Sequence, residues 1–419
     1  MPRGLDKQEQ LFYNKRMDGI EKLTILSDLP CDEIDEQDRP VFVESPCRVD
    51  KPQPCISGGE IEQFPLKDPA RQNIHRAILP GGGSIPLLKT MQTSICEHNC
   101  YYCGFRAGRD FRRVTFNPDE MANTFLALQR AGVVAGLFLS SGVINGGAHS
   151  QDRIIATAEV LRKRYHYQGY LHLKLMPGLQ RAQFEQAMLL ADRVSINLES
   201  PNPTRLALLA PEKDFYEELC KPFQWMNEIR KSTDPCRAWH RRWPSMTTQF
   251  VVGGVGESDL ELLQTTTHLI NQYKLSRAYF SGFKPVHGTP LEGVPRLDPW
   301  REYRLYQASY LLRDYGYELK ELVLGSDQNL PLDLDPKVKW AENHLINNPV
   351  EVNLAGRHEL LRIPGIGPRS VESILRERSR GNRLFEAGQL RRFGIIPERA
   401  VPYILFNGRR PARQPALFN

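Results

Sequence analysis

The sequence predicts an α/β fold, a partial (β/α)6 barrel of the TIM type, followed by a small all-α domain. Apolar strand-like segments and helix-like segments alternate six times between residues 86 and 316. Such regular alternation indicates a parallel sheet covered by helices. Six units are fewer than the eight that close a full barrel. With 41% apolar residues among 419, the chain has enough material for a sizeable core.

The chain divides into three predicted segments. Residues 1–80 are rich in proline and weakly periodic, so we expect an irregular N-terminal segment. Residues 81–330 contain the barrel. Residues 331–419 are polar and helical, and we expect them to form the small C-terminal domain.

Each predicted strand ends where a barrel enzyme would place its chemistry, since active sites lie at the carboxyl ends of barrel strands. The predicted strands are PLLKTMQTS from residue 86, then 135–142, 170–178, 192–201, 246–258 and 277–285. The predicted helices are 118–132, 152–165, RAQFEQAMLLA, SDLELLQTTTHLINQY and 299–316. A tract at 221–244 with three Trp either stacks on bases or packs on the barrel.

Composition excludes several classes of protein. No apolar run approaches the ~20 residues that a membrane span needs, and the N-terminus lacks a signal-peptide pattern. We therefore expect a cytoplasmic protein with no membrane contact. Eight cysteines are too few for a disulfide scaffold in 419 residues. The net charge is only +6, but from Arg357 onward there are 13 Arg, no Lys and 5 Glu, which gives +8.

The segment SICEHNCYYCGF places Cys96, Cys100 and Cys103 in the pattern C-x3-C-x2-C between the first strand and the first helix. Three thiolates on one loop can hold an Fe–S cluster and leave one iron without a protein ligand. The alternative is a structural zinc site completed by His98 or another cysteine.

This motif, with Tyr102 just before the third cysteine, resembles the signature of the radical SAM superfamily. The resemblance implies that the three cysteines bind a [4Fe–4S] cluster whose free iron chelates S-adenosylmethionine (SAM). It also implies reductive cleavage of SAM to a 5′-deoxyadenosyl radical, with an electron donor such as flavodoxin or ferredoxin.

Three further segments resemble the SAM contacts of that superfamily. Ser140, Ser141 and Gly142 stand where the superfamily usually has Gly-Gly-Glu, so the acidic residue is absent. Asn197 and Glu199 resemble the fourth-strand ribose motif, and strand alternation points both side chains the same way. The third segment is the glycine motif near adenine, which here is Gly253 and Gly254. The resemblance assigns no catalytic residue.

LLRIPGIGPRS, beginning at Leu360, predicts two helices joined by a tight turn, with Pro368 at the second helix start. Glycines in the turn and a helix N-terminus together form an anion site. The motif resembles a helix-hairpin-helix, which implies that it binds DNA phosphates. The implied contacts are Gly365, Ile366, Gly367, Arg369 and Ser370. The alternatives are a hairpin for protein contacts and, for the +8 segment, a solvated basic tail. Residues 390–405 resemble a degenerate second copy.

Across most of residues 70–405 the chain resembles a family of radical SAM proteins assigned to DNA modification or repair, through FLSSGV, YLHLK, RVSIN, LLAPEK, LDLDP and PGIG. The resemblance implies an enzyme that acts on DNA. The alternatives are a radical SAM enzyme acting on tRNA or protein, and a non-catalytic nucleic-acid-binding protein with a structural metal site.

The other cysteines are predicted to be ordinary thiols, and a second cluster would involve Cys220 and Cys236. The remaining three are Cys31, Cys47 and Cys55.

Overall fold

The computed structural model describes residues 17–27, 73–78 and 84–411. The described residues form two units. The first contains 17–27, 73–78, 84–257 and 268–298, and the second contains 258–267 and 299–411. The predicted segment boundary at residue 331 falls inside the second unit. None of the helices within these ranges is long and apolar enough to cross a membrane.

A seven-stranded sheet forms the centre of the first unit. Its strands are β1 (Ile74–Ile78), β2 (Ser84–Met91), β3 (Gly136–Ser140), β4 (Tyr170–Lys174), β5 (Arg193–Ser195), β6 (Ser245–Val252) and β7 (Arg277–Gly282). They lie in chain order across the sheet. Strand β1 pairs antiparallel with β2, and each later pair is parallel. The six parallel strands confirm the predicted partial barrel.

Helices follow the strands in the alternation that the sequence predicts. They are α1 (Gly19–Ser27), α2 (Pro118–Arg130), α3 (Gly147–Glu159), α4 (Arg181–Leu190), α5 (Pro203–Leu209), α6 (Lys221–Ser232), α7 (Asp259–Tyr273), α8 (Pro299–Asp314), α9 (Pro336–His344), α10 (Arg357–Arg362), α11 (Pro368–Ser379) and α12 (Pro397–Ala400). Single π-helical turns at Val160–Arg164 and Phe215–Cys220 extend α3 and precede α6.

Helix α2 shows why these segments form helices at these positions. Asn117 accepts a hydrogen bond from the Glu120 amide, and the Glu120 side chain accepts one from the Asn117 amide. This capping box starts the helix. Met121 and Phe125 are then fully buried one turn apart, and they anchor α2 to the body of the first unit.

The two faces of the sheet differ in polarity. Successive strand residues point to opposite faces. Leu137, Leu139, Leu171 and Leu173 are fully buried on the face that the helices cover. The other face is the inside of the partial barrel, and many of its side chains are polar.

The N-terminal region departs from the predicted irregular segment. Helix α1 and strand β1 both fall within residues 1–80. The sequence of β1, IHRAI, is short and places charged Arg76 between apolar residues, so it lacks a strong strand pattern. Antiparallel pairing with the apolar strand β2 stabilises β1, whose own sequence has little strand propensity. Residues 1–16, 28–72 and 79–83 lie outside the described part of the chain.

The second unit has its own apolar core, which contains Leu360, Ile363, Ile366, Val371 and Ile374. It is not entirely helical as predicted, because two short strands pair in parallel. These are β8 (Val350–Glu351) and β9 (Ile404–Leu405). Each of these strands has only two residues, which is too short to show an alternating pattern of apolar and polar residues in the sequence.

One arginine of the basic C-terminal segment is internal. The side chain of Arg362 is 3% exposed and donates to the carbonyls of Tyr315 and Gly316, both at 3.0 Å. It also donates to both carboxylate oxygens of Glu321 at 2.9 Å. Its guanidinium lies 3.7 Å from the ring centroid of Tyr317. This arginine therefore stabilises the second unit and is not available to a ligand.

Replacing Arg362 by alanine should destabilise the second unit by about 3 kcal/mol, because removal of one partner leaves Glu321 and two carbonyls unpaired. Chemical denaturation followed by circular dichroism would measure the change. Arg380, whose side chain is 64% exposed beside Glu377, provides the control. Arg380→Ala should change stability by less than about 1 kcal/mol. Equal losses in the two variants would contradict a structural role for Arg362.

Candidate functional site

The cysteine loop lies where strands β2 and β3 end. The amide of Gly142 donates to the Thr93 carbonyl, and the amide of Glu97 donates to the Val143 carbonyl, both at 2.7 Å. A Cβ atom on Gly142 would lie 2.2 Å from the carbonyl oxygen of Ile95. Glycine is therefore required for this close approach, which joins the Ser140–Gly142 segment to the loop.

The three motif cysteines line one pocket. Cys100 is buried, and Cys96 and Cys103 are half-buried. Backbone amides point at two of the sulfurs: Val143 N lies 3.5 Å from Cys96 Sγ, and Phe105 N lies 3.4 Å from Cys103 Sγ. Such N–H···S contacts are among the features that tune Fe–S clusters.

Burial keeps the Cys100 thiol protonated until a metal binds. Burial raises the pKa of Cys100 to about 11, so its free thiol is protonated at neutral pH. Binding to iron displaces that proton. Among the described residues, no three His, Cys, Asp or Glu side chains are grouped to hold a single metal ion. In a cubane each thiolate binds a different iron.

Arg113 holds the cysteine loop in shape, and the sequence did not reveal this. Its guanidinium donates to four backbone carbonyls of the loop at 2.7–3.1 Å. These carbonyls belong to Ser94, Phe105, Arg106 and Arg109. Arg113 lies ten residues beyond the last cysteine, and no local pattern marks it.

A distant segment also supports the cysteine loop. The Tyr101 amide donates to the Leu209 carbonyl, and the Asn99 amide donates to Glu212 Oε2, both at 2.8 Å. The neighbouring Lys213 makes a 2.8 Å ion pair with Glu199 inside the pocket. The LLAPEK segment thus connects the loop to strand β5, a role that requires the folded structure to recognise.

Glu199 has the least ordinary conformation in the site. Its φ is 64°, a left-handed value that is unusual for a residue other than glycine. It is 3% exposed, and its Oε2 has no hydrogen-bond partner. Burial acts to lower the pKa of Lys213, but the Glu199 and Cys100 charges raise it above its ordinary value. Strain together with an unsatisfied buried oxygen is typical of functional sites.

Asn197 and Glu199 both face the pocket, as the alternation of strand residues predicts. Asn197 Oδ1 accepts a 2.5 Å hydrogen bond from Lys174 Nζ, and Asn197 Nδ2 donates to Gln249 Oε1 at 3.0 Å. Lys174 and Gln249 also line the pocket. Neither was identified from the sequence, because each strand carries several polar residues and only the folded structure shows which of them face the pocket.

The pocket holds about 920 Å³ of space, part of which is open solvent at its mouth. Its lining includes Ser140, Ser141, Gly142 and Tyr102, and so the structure brings these predicted contacts together with the cysteines. Tyr102 packs on the apolar cluster of Leu209, Val251 and Phe283.

Gly253 and Gly254 are not among the residues that line this pocket. Gly253 has a φ of 90°, and its amide donates to Glu257. A Cβ atom there would lie 2.5 Å from Leu297 Cδ1. These contacts show a tight turn after β6 that needs glycine for its own geometry.

The remaining candidates from the sequence are His98, the five other cysteines and the tract 221–244. His98 lines the pocket, its Nδ1 has no hydrogen-bond partner, and burial lowers its pKa. Cys220 and Cys236 do not line the pocket, and Cys31, Cys47 and Cys55 lie outside the described residues. In the tract 221–244, Trp239 lies 4.1 Å from the Arg162 guanidinium, and Phe223 is fully buried. Both side chains thus pack against other residues of the first unit, and base stacking by the tract stays a prediction.

The hairpin has the predicted shape. Helices α10 and α11 flank a turn in which Gly365 has a φ of 80°. Arg369 is exposed at the start of α11. Ile366 is fully buried, and Ser370 is buried and donates to the Phe393 carbonyl at 3.0 Å. The side chains of these two residues therefore serve the fold. The Ile366 amide also donates to the Ile363 carbonyl at 3.1 Å, so of their backbone amides only that of Ser370 remains as a candidate contact.

Comparison with known proteins points to one superfamily. Residues 91–269 match the family model described as the radical SAM superfamily. An uncharacterized protein of Methanocaldococcus jannaschii is 22% identical over 217 residues, with 49% of this chain and 50% of that protein covered. The chain thus spans about half the length of this curated relative.

Two solved structures show a weaker likeness. The FeFe-hydrogenase maturase HydG from Carboxydothermus hydrogenoformans is 16% identical with a TM-score of 0.41, covering 54% of this chain and 51% of that one. Methylornithine synthase (PylB) is 14% identical with a TM-score of 0.41, covering 66% and 68%. Likenesses of this size carry no argument about substrate.

Proposed function

We propose that this chain, whose residues 91–269 form a radical SAM domain, is an enzyme that modifies or repairs a nucleotide in DNA. Members of the superfamily use a [4Fe–4S] cluster and SAM. When bound, these cofactors supply a 5′-deoxyadenosyl radical that abstracts hydrogen. The observation that supports cofactor binding is the single pocket that the three cysteine thiols share with Glu199.

The donors of this pocket fit both cofactors. Cys96, Cys100 and Cys103 would hold the cluster, leaving one iron for SAM. The unsatisfied Oε2 of Glu199 is an acceptor for a ribose hydroxyl or an ammonium group, and Lys213 pairs with the same carboxylate at 2.8 Å. Ser140 and Ser141, at the end of β3, also line the pocket, and the Ser141 hydroxyl donates to the Gly142 carbonyl at 2.7 Å.

Replacing Lys213 by methionine should weaken SAM binding by at least about tenfold, because Glu199 then loses its counter-charge in a buried site. Equilibrium binding of SAM to the cluster-loaded protein measures this. Lys163, whose side chain is 63% exposed on the outer surface, provides the matched control. Lys163→Met should bind SAM like the parent protein. Equal affinities for Lys213→Met and the parent would remove Glu199 and Lys213 from the SAM site.

The hairpin is the observation that supports DNA as the substrate. The first-turn amides of α11, including those of Arg369 and Ser370, have no partner within the helix. The positive end of the helix dipole adds to them, and together they favour a phosphate. Because these contacts reach only the backbone, binding would not depend strongly on sequence.

Exposed arginines of the same C-terminal segment add positive surface. Within the part of this segment that the structure describes, nine arginines are exposed: Arg357, Arg369, Arg376, Arg380, Arg383, Arg391, Arg392, Arg409 and Arg410. Three of them form surface ion pairs with Glu372, Glu377 and Glu398. Surface pairs of this kind are weak and can yield to phosphate.

The reaction itself can be tested with anaerobically purified protein, SAM and a chemical reductant. We expect duplex DNA to increase 5′-deoxyadenosine formation and to yield an altered nucleoside after digestion. A tRNA arm and a protein-extract arm test the two alternatives. Stimulation by tRNA or protein alone would overturn the DNA assignment and keep the radical SAM assignment. No 5′-deoxyadenosine in any arm would favour the non-catalytic alternative.

A further inference from the structure

Several cationic side chains lie on the inner face of the barrel. The strand registers place Lys89, Lys174, Arg193 and Arg277 on this face. None of the described strand residues that share the face is Asp or Glu. The acidic residue nearest in sequence, Asp192 before β5, is paired with Arg162.

Three polar atoms in the middle of this face are buried and lack hydrogen-bond partners. They are Lys89 Nζ, His172 Nδ1 and Thr247 Oγ1. Their residues are 5%, 4% and 0% exposed. Lys89 Nζ and the His172 ring lie on either side of Phe138, at 5.6 Å and 4.5 Å from its ring centroid.

The same layer continues across the barrel to Thr247. His172 Nε2 lies 2.9 Å from Ser195 Oγ, and Ser195 is the register partner of Thr247. Lys89, His172 and Thr247 therefore belong to one connected set of side chains. We call this set the lumen layer.

The charges around His172 come only from cations. Burial lowers its pKa well below the ordinary value, and the charges of Arg193, Lys174 and Lys89 lower it further. The imidazole is therefore neutral at physiological pH. His172 Nε2 either accepts from or donates to Ser195 Oγ, and in the tautomer in which it accepts, Nδ1 carries the proton and can donate.

The lumen layer thus combines an ammonium, a hydroxyl and an imidazole nitrogen. The ammonium can only donate hydrogen bonds, and the hydroxyl can donate as well as accept. Burying an unpaired ammonium is costly, and most buried polar groups in proteins are satisfied. An unpaired ammonium with Lys174 and Arg193 nearby is complementary to an oxygen that carries negative charge.

We propose that the lumen layer binds an anionic group of the substrate, a phosphate or a carboxylate. This proposal rests on one part of the proposed function, namely that a substrate enters the barrel beneath the SAM pocket. The path is short, because Met91 lies two residues beyond Lys89 on the same face and lines the pocket. Methionine is flexible, so a shift of its side chain brings Lys89 into contact with the pocket.

The test uses the cluster-loaded full chain with inorganic phosphate and acetate as probes, and follows the melting temperature. We expect one or both anions to raise the melting temperature of the parent protein, since ligands that bind the folded state stabilise it. Phosphate also stabilises proteins without a specific site. The informative quantity is therefore the difference between the parent and Lys89→Met at equal anion concentration.

Two results are expected of Lys89→Met. Without added anion its melting temperature should rise by about 2 °C or more, because an unpaired buried charge is removed. Most of the anion-dependent shift should be lost. The control Lys163→Met should change neither quantity. Arg369→Ala should keep the full shift, which separates the lumen layer from the hairpin. A shift with phosphate alone identifies a phosphate group, and one with acetate alone identifies a carboxylate.

Two outcomes overturn the proposal. One is an anion-dependent shift of equal size in the parent and in Lys89→Met, including no shift in either. The other is a loss of SAM affinity in Lys89→Met without loss of the anion shift, which would assign Lys89 to the SAM pocket. Neither outcome depends on whether the hairpin binds DNA, so failure of the DNA proposal is recognised separately.

Discussion

Replacing Cys100 by alanine should abolish both the cluster and the formation of 5′-deoxyadenosine. Cys100 is the most buried of the three motif cysteines, and it lines the same pocket as the Lys213–Glu199 pair. Without it, one iron loses its protein ligand and the cluster becomes unstable. The expected loss of activity is complete, because no described cysteine outside the motif lines the pocket to replace it.

The measurements are iron and labile sulfide content after anaerobic purification, the visible absorption of the cluster, and 5′-deoxyadenosine formed with SAM and reductant. Cys236→Ala is the matched control, since Cys236 is exposed and does not line the pocket. It should keep the cluster and its activity. Stoichiometric zinc without labile sulfide in the parent protein would contradict the cluster and restore the zinc alternative with His98.

Local patterns predicted the barrel and the cysteine loop because both are encoded over short stretches. The six parallel strands follow from alternating apolar segments, and Cys96, Cys100 and Cys103 fall within eight residues. The hairpin could be predicted for the same reason, since its glycines and Pro368 lie together in the sequence. Patterns that span a few residues survive in the sequence regardless of the rest of the fold.

The supporting residues were not predictable in the same way. Lys213 is 14 residues from Glu199, and Glu212 reaches Asn99 across 113 residues. Lys89 and His172 lie in strands that also carry other polar residues, and the register alone shows that these two share a face. Gly253 was expected to admit adenine, yet its left-handed φ and the nearby Leu297 explain it by turn geometry. Long-range pairing decides such roles, and a single sequence does not record it.

Replacing Gly365 by valine should reduce the affinity of the full chain for duplex DNA by at least about tenfold, or about 1.4 kcal/mol. Its φ of 80° is strained for any residue with a side chain, and most of all for a β-branched one. An added Cβ would also lie 3.1 Å from Arg399 Cβ. The turn must therefore shift, and the amides at the start of α11 move away from the phosphate.

Gly381→Val is the matched control for backbone strain. Gly381 follows the other end of α11 with a φ of 83°, and no atom lies within 4 Å of its added Cβ. Both variants place valine at a positive φ and so strain the backbone to a similar degree. Only Gly365→Val, however, alters the turn between α10 and α11. Gly381→Val should bind DNA like the parent protein. Circular dichroism and thermal melting of both variants would show that the second unit still folds.

Arg369→Ala supplies a second, independent measurement of the same contact. Each neutralised phosphate releases counterions and contributes about −0.9 to the slope of log affinity against log salt. Removing the exposed Arg369 should therefore reduce the slope by about one unit, with little change in sequence preference. If Gly365→Val and Arg369→Ala both bind DNA like the parent, with the same salt slope, the hairpin does not anchor DNA. It would then be assigned to protein contacts. Because these contacts reach phosphate and not bases, a strong preference for one DNA sequence would also contradict the mechanism.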